Sequence, residues 1–352
     1  MSQRPLKILW TAGIAVAAAW LAACGSNPRA SVNNPPGSPT TASKQAASGP
    51  VLGAWWDSDH KGLRVINGVP GAAQQGPPTY ADGTFVGAAV CMRKSMALLT
   101  TPSGAIYQAT LPQGRPVAIA DSGISNATIV FSPSCASSLA YAPGTSQAIL
   151  MQGLLSARKV STVLLPPGIA AAAVSDAGAI LVDVPGTEGS AVIKVLAPGS
   201  ATAQPVMTLS RFGGMAFLPG ADSAILADAA ANAVLEASSV TGNLSVVQIA
   251  GESDGVANPV AVAASSDGRW LAIANGKGSS VLRVDLTGQT APQHAVCRCS
   301  LTRLEPLAGN FAFRLTEPGS GTVWAFDGNG SAPRIVFLPA EQASRAVQGA
   351  RP

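Results

Sequence analysis

Three observations predict an all-β fold, a seven-bladed β-propeller of four-stranded blades. First, one phrase recurs seven times: a short apolar strand, a turn of small residues, then a second apolar strand, with successive starts about 41 to 47 residues apart. Second, most copies are flanked by one strand before and one after, and four strands per period of this length is the unit of a propeller blade. Third, the 352 residues include 37 Gly and 27 Pro, with 47% apolar and only 11% charged residues. That composition suits many short strands joined by tight turns, because glycine and proline interrupt long helices.

The chain begins with Arg4 and Lys7, followed by the apolar run Ile8–Ala23. A basic stretch before an apolar core of this length is an export signal. The run has about 16 residues, short of the ~20 needed to span a bilayer as a helix. It ends in "LAAC" (Leu21–Cys24), which resembles the lipobox of bacterial lipoproteins. The resemblance implies cleavage before Cys24, lipid on its sulfur and acylation of the new amine. The chain would then be held to the lipid bilayer, since several acyl chains together anchor a protein stably. Gly25 stands where lipoproteins retained at the inner membrane commonly carry aspartate, so the resemblance favours the periplasmic side of the outer membrane, or the cell surface. Residues 24–50 follow as a tether rich in Pro, Ser and Gly. Its composition cannot bury enough apolar area to offset chain entropy, and as a flexible coil it would span roughly 30 Å.

The propeller is expected over 51–340, with a frayed tail at 341–352. The copies read 51–69, 96–112, 139–155, 179–198, 224–242, 270–288 and 311–330. Alternation such as "SSVLRVDL" (Ser279–Leu286) is the signal of a half-buried strand. Central turns such as "VPGTEGS" and "NGKGSS" carry the Pro, Gly and Asn that hairpins need. First strands are expected at 127–138, 170–179, 214–224 and 259–270, and fourth strands at 161–168, 203–211, 244–251 and 333–340. No innermost strand is legible before Val51. Ring closure then either borrows residues 331–340 or leaves the first blade incomplete. The stretch Ser265–Gly288 resembles NHL/YVTN-type and WD-like propeller repeats of bacterial secreted proteins; the likeness covers 51–340 with degenerate motifs. It implies a fold, and brings with it lactonases, lyases and quinone-dependent dehydrogenases as enzyme alternatives. An outer-membrane assembly factor is a further alternative.

Export would place Cys91, Cys135, Cys297 and Cys299 in an oxidising compartment, where an even number suggests bridges. Cys297 and Cys299 are two apart and share one face of a strand, which fits a local disulfide or two buried thiols better than a zinc site wanting four ligands. Cys91 and Cys135 fall at matching points of units two and three, and a bridge needs their α-carbons within about 7 Å. The pair Trp55 and Trp56 presents its rings to opposite sides of a strand. Core and inter-blade packing is one use, and a stacking platform for a sugar or peptide is the other.

Charge argues against nucleic acid. Without Arg4 and Lys7, 20 basic residues face 18 acidic ones, and they are scattered, whereas phosphate binding needs clustered cations. No G-x-S-x-G or H-E-x-x-H motif is present, and only His60 and His294 are available as histidines. "DSDHKG" (Asp57–Gly62) imitates a calcium loop but puts Lys61 where an oxygen ligand belongs. Neither a catalytic set, nor a metal site, nor a cofactor is therefore expected. The expectation is a non-enzymatic binding or scaffold module at the cell envelope, with a protein, peptide or glycan partner.

Overall fold

In a computed structural model, residues 49–119, 124–154, 156, 158–317 and 322–340 are described. The expected export signal, Cys24, the expected tether up to residue 48 and the expected tail 341–352 lie outside them. Seven antiparallel sheets follow one another along the chain. Blade 1 holds β1 (Val51–Asp57), β2 (Gly62–Val69) and β3 (Ala72–Thr79). Blade 2 holds β4 (Gly87–Cys91), β5 (Met96–Thr100), β6 (Ile106–Thr110) and β7 (Val117–Ala118). Blade 3 comprises β8 (Thr128–Phe131), β9 (Ser137–Tyr141), β10 (Gln147–Gln152) and β11 (Lys159–Leu164). Blade 4 comprises β12 (Ala171–Val174), β13 (Ile180–Pro185), β14 (Ala191–Leu196) and β15 (Gln204–Leu209). In blade 5 run β16 (Phe212–Phe217), β17 (Ser223–Asp228), β18 (Ala233–Ser238) and β19 (Ser245–Ala250). Blade 6 is β20 (Pro259–Ala264), β21 (Trp270–Asn275), β22 (Ser280–Asp285) and β23 (Gln293–Val296). Blade 7 is β24 (Arg303–Pro306), β25 (Ala312–Thr316), β26 (Val323–Asp327) and β27 (Arg334–Leu338). The fold is a seven-bladed β-propeller.

Each sheet is too thin to hide its own apolar side chains, and the ring solves this by burying them between neighbours. Seven apolar clusters result, one in each seam between adjacent blades. Strand β5 shows the mechanism. Successive side chains point to opposite faces of a sheet, so Met96 and Leu98 pack toward blade 3 while Ala97 and Leu99 pack toward blade 1. Strand β21 repeats it: Leu271 and Ile273 face blade 5, Ala272 and Ala274 face blade 7. Each fully buried Leu or Ile contributes roughly 1.5–3 kcal/mol. Because both faces are covered, the second and third strands of a blade are largely apolar on both sides. The half-buried reading of "SSVLRVDL" is corrected by this geometry, since every residue of β22 is buried, Arg283 included.

The first repeat is out of phase with the others. Residues 51–69 supply the first and second strands of blade 1, whereas the remaining copies supply second and third strands. Val51 therefore opens the innermost strand itself. Blade 1 has three strands, and Ala340 makes a parallel bridge to Gln75 on its outer strand. Leu52, Ile66 and Ala73 of blade 1 pack with Leu307, Ala325 and Leu338 of blade 7, closing the ring.

Near the axis the blades crowd together. A Cβ at Gly213 would stand 2.4 Å from the Pro259 carbonyl of the next blade, and Gly214, at φ +133°, would meet Ala261 Cα at 3.0 Å. The "GG" in β16 is required by that approach.

Candidate functional site

The first strand of every blade is hydrogen-bonded on one side only, and its free edge faces the axis. Together these strands enclose a cavity of about 580 Å³ lined by residues from all seven blades. Its wall is mostly Ala, Val, Ile, Phe and Met; the charged side chains on it are Arg93, Arg303, Glu305 and Arg314. Inner strands β4, β8, β12, β16 and β20 carry no charge and β1 carries one only at its end, Asp57, so the charges of "RLEP" in β24 stand out.

Trp55 and Trp56 both line the cavity. Trp55 packs into the seam with blade 7 and Trp56 into the seam with blade 2, so each combines core packing with a face toward the axis. The Arg314 guanidinium lies 4.9 Å from the Trp55 ring centre and donates to Glu305, its cross-strand neighbour, through Nε at 2.7 Å. A cation over an indole face is favourable, the more so when shielded from water. Trp55 Nε1 is buried without a hydrogen-bond partner.

At the end of the cavity where inner strands turn into second strands, Cys91 and Cys135 are joined by a disulfide between blades 2 and 3, with α-carbons 6.3 Å apart. The Asp176 carboxylate accepts from Ser134 N–H at 2.8 Å, Ser134 Oγ at 2.7 Å and Gly220 N–H at 3.1 Å, lashing blades 3, 4 and 5 together. Asn310 of blade 7 donates to Asp267 of blade 6 at 2.8 Å. Arg93 stands at this rim; desolvation lowers its pKa, opposed by the charges of Asp176 and Asp267. At the opposite end lie Arg303, Thr302, Phe212 and Tyr141. Tyr141 is 4% exposed, and its hydroxyl accepts the Ala172 N–H at 3.2 Å. Burial pushes that phenol above its ordinary pKa.

Cys297 and Cys299 also form a disulfide, in the connection from blade 6 to blade 7, and neither lines the axial cavity. The turn Asp57–Gly62 is the hairpin between β1 and β2, where buried Asp57 accepts from Arg64 Nε at 2.5 Å and pairs with His60 Nδ1 at 2.7 Å. Among the described residues no group of three or more His, Cys, Asp or Glu gathers as a metal site would require. A smaller cavity of about 290 Å³ lies between blades 6 and 7, beside Trp270, Arg283 and Phe311. Sequence reading passed over Arg303, Arg314 and Tyr141; the charged inner strand "RLEP" was the available signal.

The class is therefore a seven-bladed β-propeller whose channel is apolar and carries arginine. No family model matches the chain, and no curated protein matches it. Among solved structures it is similar to a functionally unknown protein from Desulfotomaculum acetoxidans DSM 771, at 15% identity and TM-score 0.57, covering 83% of this chain and 100% of that one. It is also similar to virginiamycin B lyase from Staphylococcus aureus, at 12% identity and TM-score 0.51, covering 72% of this chain and 83% of that one. At such identity the likeness is one of fold alone. It nevertheless corrects the expectation of a non-enzymatic protein. That expectation rested on missing familiar motifs, and the same fold carries a lyase.

Proposed function

We propose that this protein is a ligand-binding propeller held at the cell envelope by lipid on Cys24, with the axial channel as its binding site. The observation that supports it is the 580 Å³ cavity walled by all seven blades. Small-molecule sites are typically concavities of about 300–1,000 Å³ with apolar walls and a few placed polar groups. The anchoring half of the proposal rests on the "LAAC" lipobox and the tether that follows it.

Two measurements test it. Cys24→Ala should leave the protein unprocessed or move it from the membrane fraction to the soluble one; unchanged membrane residence removes the lipid anchor. Native mass spectrometry of the full chain, purified gently from its own envelope, should show a small-molecule mass increment that vanishes on unfolding. A bare mass, with no thermal shift across a library of envelope metabolites, removes the channel as a binding site.

A further inference from the structure

At the end of the channel where the inner strands begin stand an exposed arginine and a buried tyrosine hydroxyl. Arg303 opens β24 and is exposed at the channel mouth, and its guanidinium makes no hydrogen bond or ion pair among the described residues. Tyr141 lies at the same end, closing β9 opposite Thr128, and lines the same wall. Its oxygen accepts from Ala172 N–H, so its own hydrogen needs an acceptor elsewhere, and none of the described residues supplies one. The Arg303 charge acts on that phenol across the channel. Deeper in, Trp55 Nε1 is a third donor without an acceptor.

The charges on the wall do not cancel. Glu305 is taken by Arg314. At the far rim Arg93 feels the carboxylates of Asp176 and Asp267. Arg303 has no such counter-charge. Between these polar points the wall is apolar, formed by Ile129, Val130, Met215, Val260 and Leu304. The Tyr141 hydroxyl and Trp55 Nε1 are buried donors without acceptors, which is costly, while Arg303 adds an exposed cation at the mouth; a charged acceptor suits both, through short charge-assisted bonds.

We infer that the channel binds a small organic anion with an apolar body, its acid group received by Arg303 and the Tyr141 hydroxyl and its body lying along the aliphatic wall. This rests on the channel being a ligand site, and the test separates the two. The full chain in a non-ionic detergent, at about 0.15 M salt so that exposed charges are screened, is titrated calorimetrically with 2-naphthoate and with its neutral isostere 2-naphthamide. Naphthoate should bind one per chain and more tightly than the amide. Arg303→Gln should weaken naphthoate about tenfold or more, the usual loss for a hydrogen bond to a charged group, and leave the amide unchanged. Tyr141→Phe should weaken naphthoate too, and Lys159→Gln, a charge removed from an outer strand, should not. Melting curves confirm that Arg303→Gln remains folded. Equal binding of acid and amide, or naphthoate binding indifferent to Arg303→Gln, overturns the anion site while leaving the channel as a binding site. Binding of neither probe overturns both.

Discussion

The side-chain amide of Gln75 donates a 2.7 Å hydrogen bond to the carbonyl of Leu338, 263 residues away. The backbone N–H of Gln75 donates to Pro339 at 2.9 Å beside it. These bonds, with the apolar seam between blades 7 and 1, close a ring whose first blade lacks a fourth strand. Gln75→Met keeps the volume and removes the side-chain bond. It should cost about 1 kcal/mol, read as a Tm lower by roughly 2–4 °C, while the exposed neighbour Gln74→Met should change nothing. Equal effects at both positions would mean that closure does not depend on this bond.

The two disulfides should differ in worth. Cys91–Cys135 encloses a separation of 44 residues and ties two blades, whereas Cys297–Cys299 encloses a separation of 2. Loop-closure entropy assigns about 4 kcal/mol to the first and under about 2 kcal/mol to the second. Urea unfolding of the paired Cys→Ala variants should rank them in that order. The reverse ranking would show that the rim bridge is incidental to stability.

Asp183 should make stability depend on pH. It is 4% exposed, its Oδ1 has no hydrogen-bond partner, and burial pushes its carboxyl above the ordinary range. A raised folded-state pKa means the penalty is absent below the unfolded value near 3.9 and grows as pH rises through the folded one. Asp183→Asn should therefore raise Tm at pH 7, by roughly 2–4 °C per kcal/mol relieved, and lose that advantage near pH 4. Asp285 runs the other way. Its bond to Arg269, then that to Thr287, holds it well below the ordinary range, so its contribution is present at neutral pH and lost only in strong acid. A gain from Asp183→Asn that is the same at both pH values would refute the assignment.

Arg283 should be indispensable to the seam between blades 6 and 7. It is 4% exposed and donates to the carbonyls of Gly328 at 2.7 Å, Gly330 at 2.6 Å and Ser331 at 2.8 Å, with its guanidinium 4.7 Å from the Trp270 ring centre. Arg283→Met strips the donor from three carbonyls and should cost about 2–4 kcal/mol. Arg283→Lys, a point charge on a stem without the planar fork, should recover only part. Full stability of the Lys variant in urea would show that charge alone suffices there.

Much of the architecture was legible because it is periodic. A four-strand unit repeated every 41 to 47 residues is written in local turns and alternation, and adjacent strands pair with little choice of partner. The matching positions of Cys91 and Cys135 were readable for the same reason. Blade 1 was not, because its hairpin looks like every other hairpin while occupying a different place in its sheet. Nor was the burial of Arg283, since alternation places a charge outward and only the neighbouring blade shows that no outward face exists.

By itself, then, the chain's pattern of strands and turns determined the number of sheets, the internal order of blades 2 to 7 and the predominantly apolar character of the seams. Which residues line the channel together was decided only in three dimensions. Tyr141 and Arg303 come from blades 3 and 7, separated by more than a hundred residues of chain. Their meeting at one channel end depends on closing the ring, a long-range event driven by apolar burial between blades 7 and 1 that no local signal encodes.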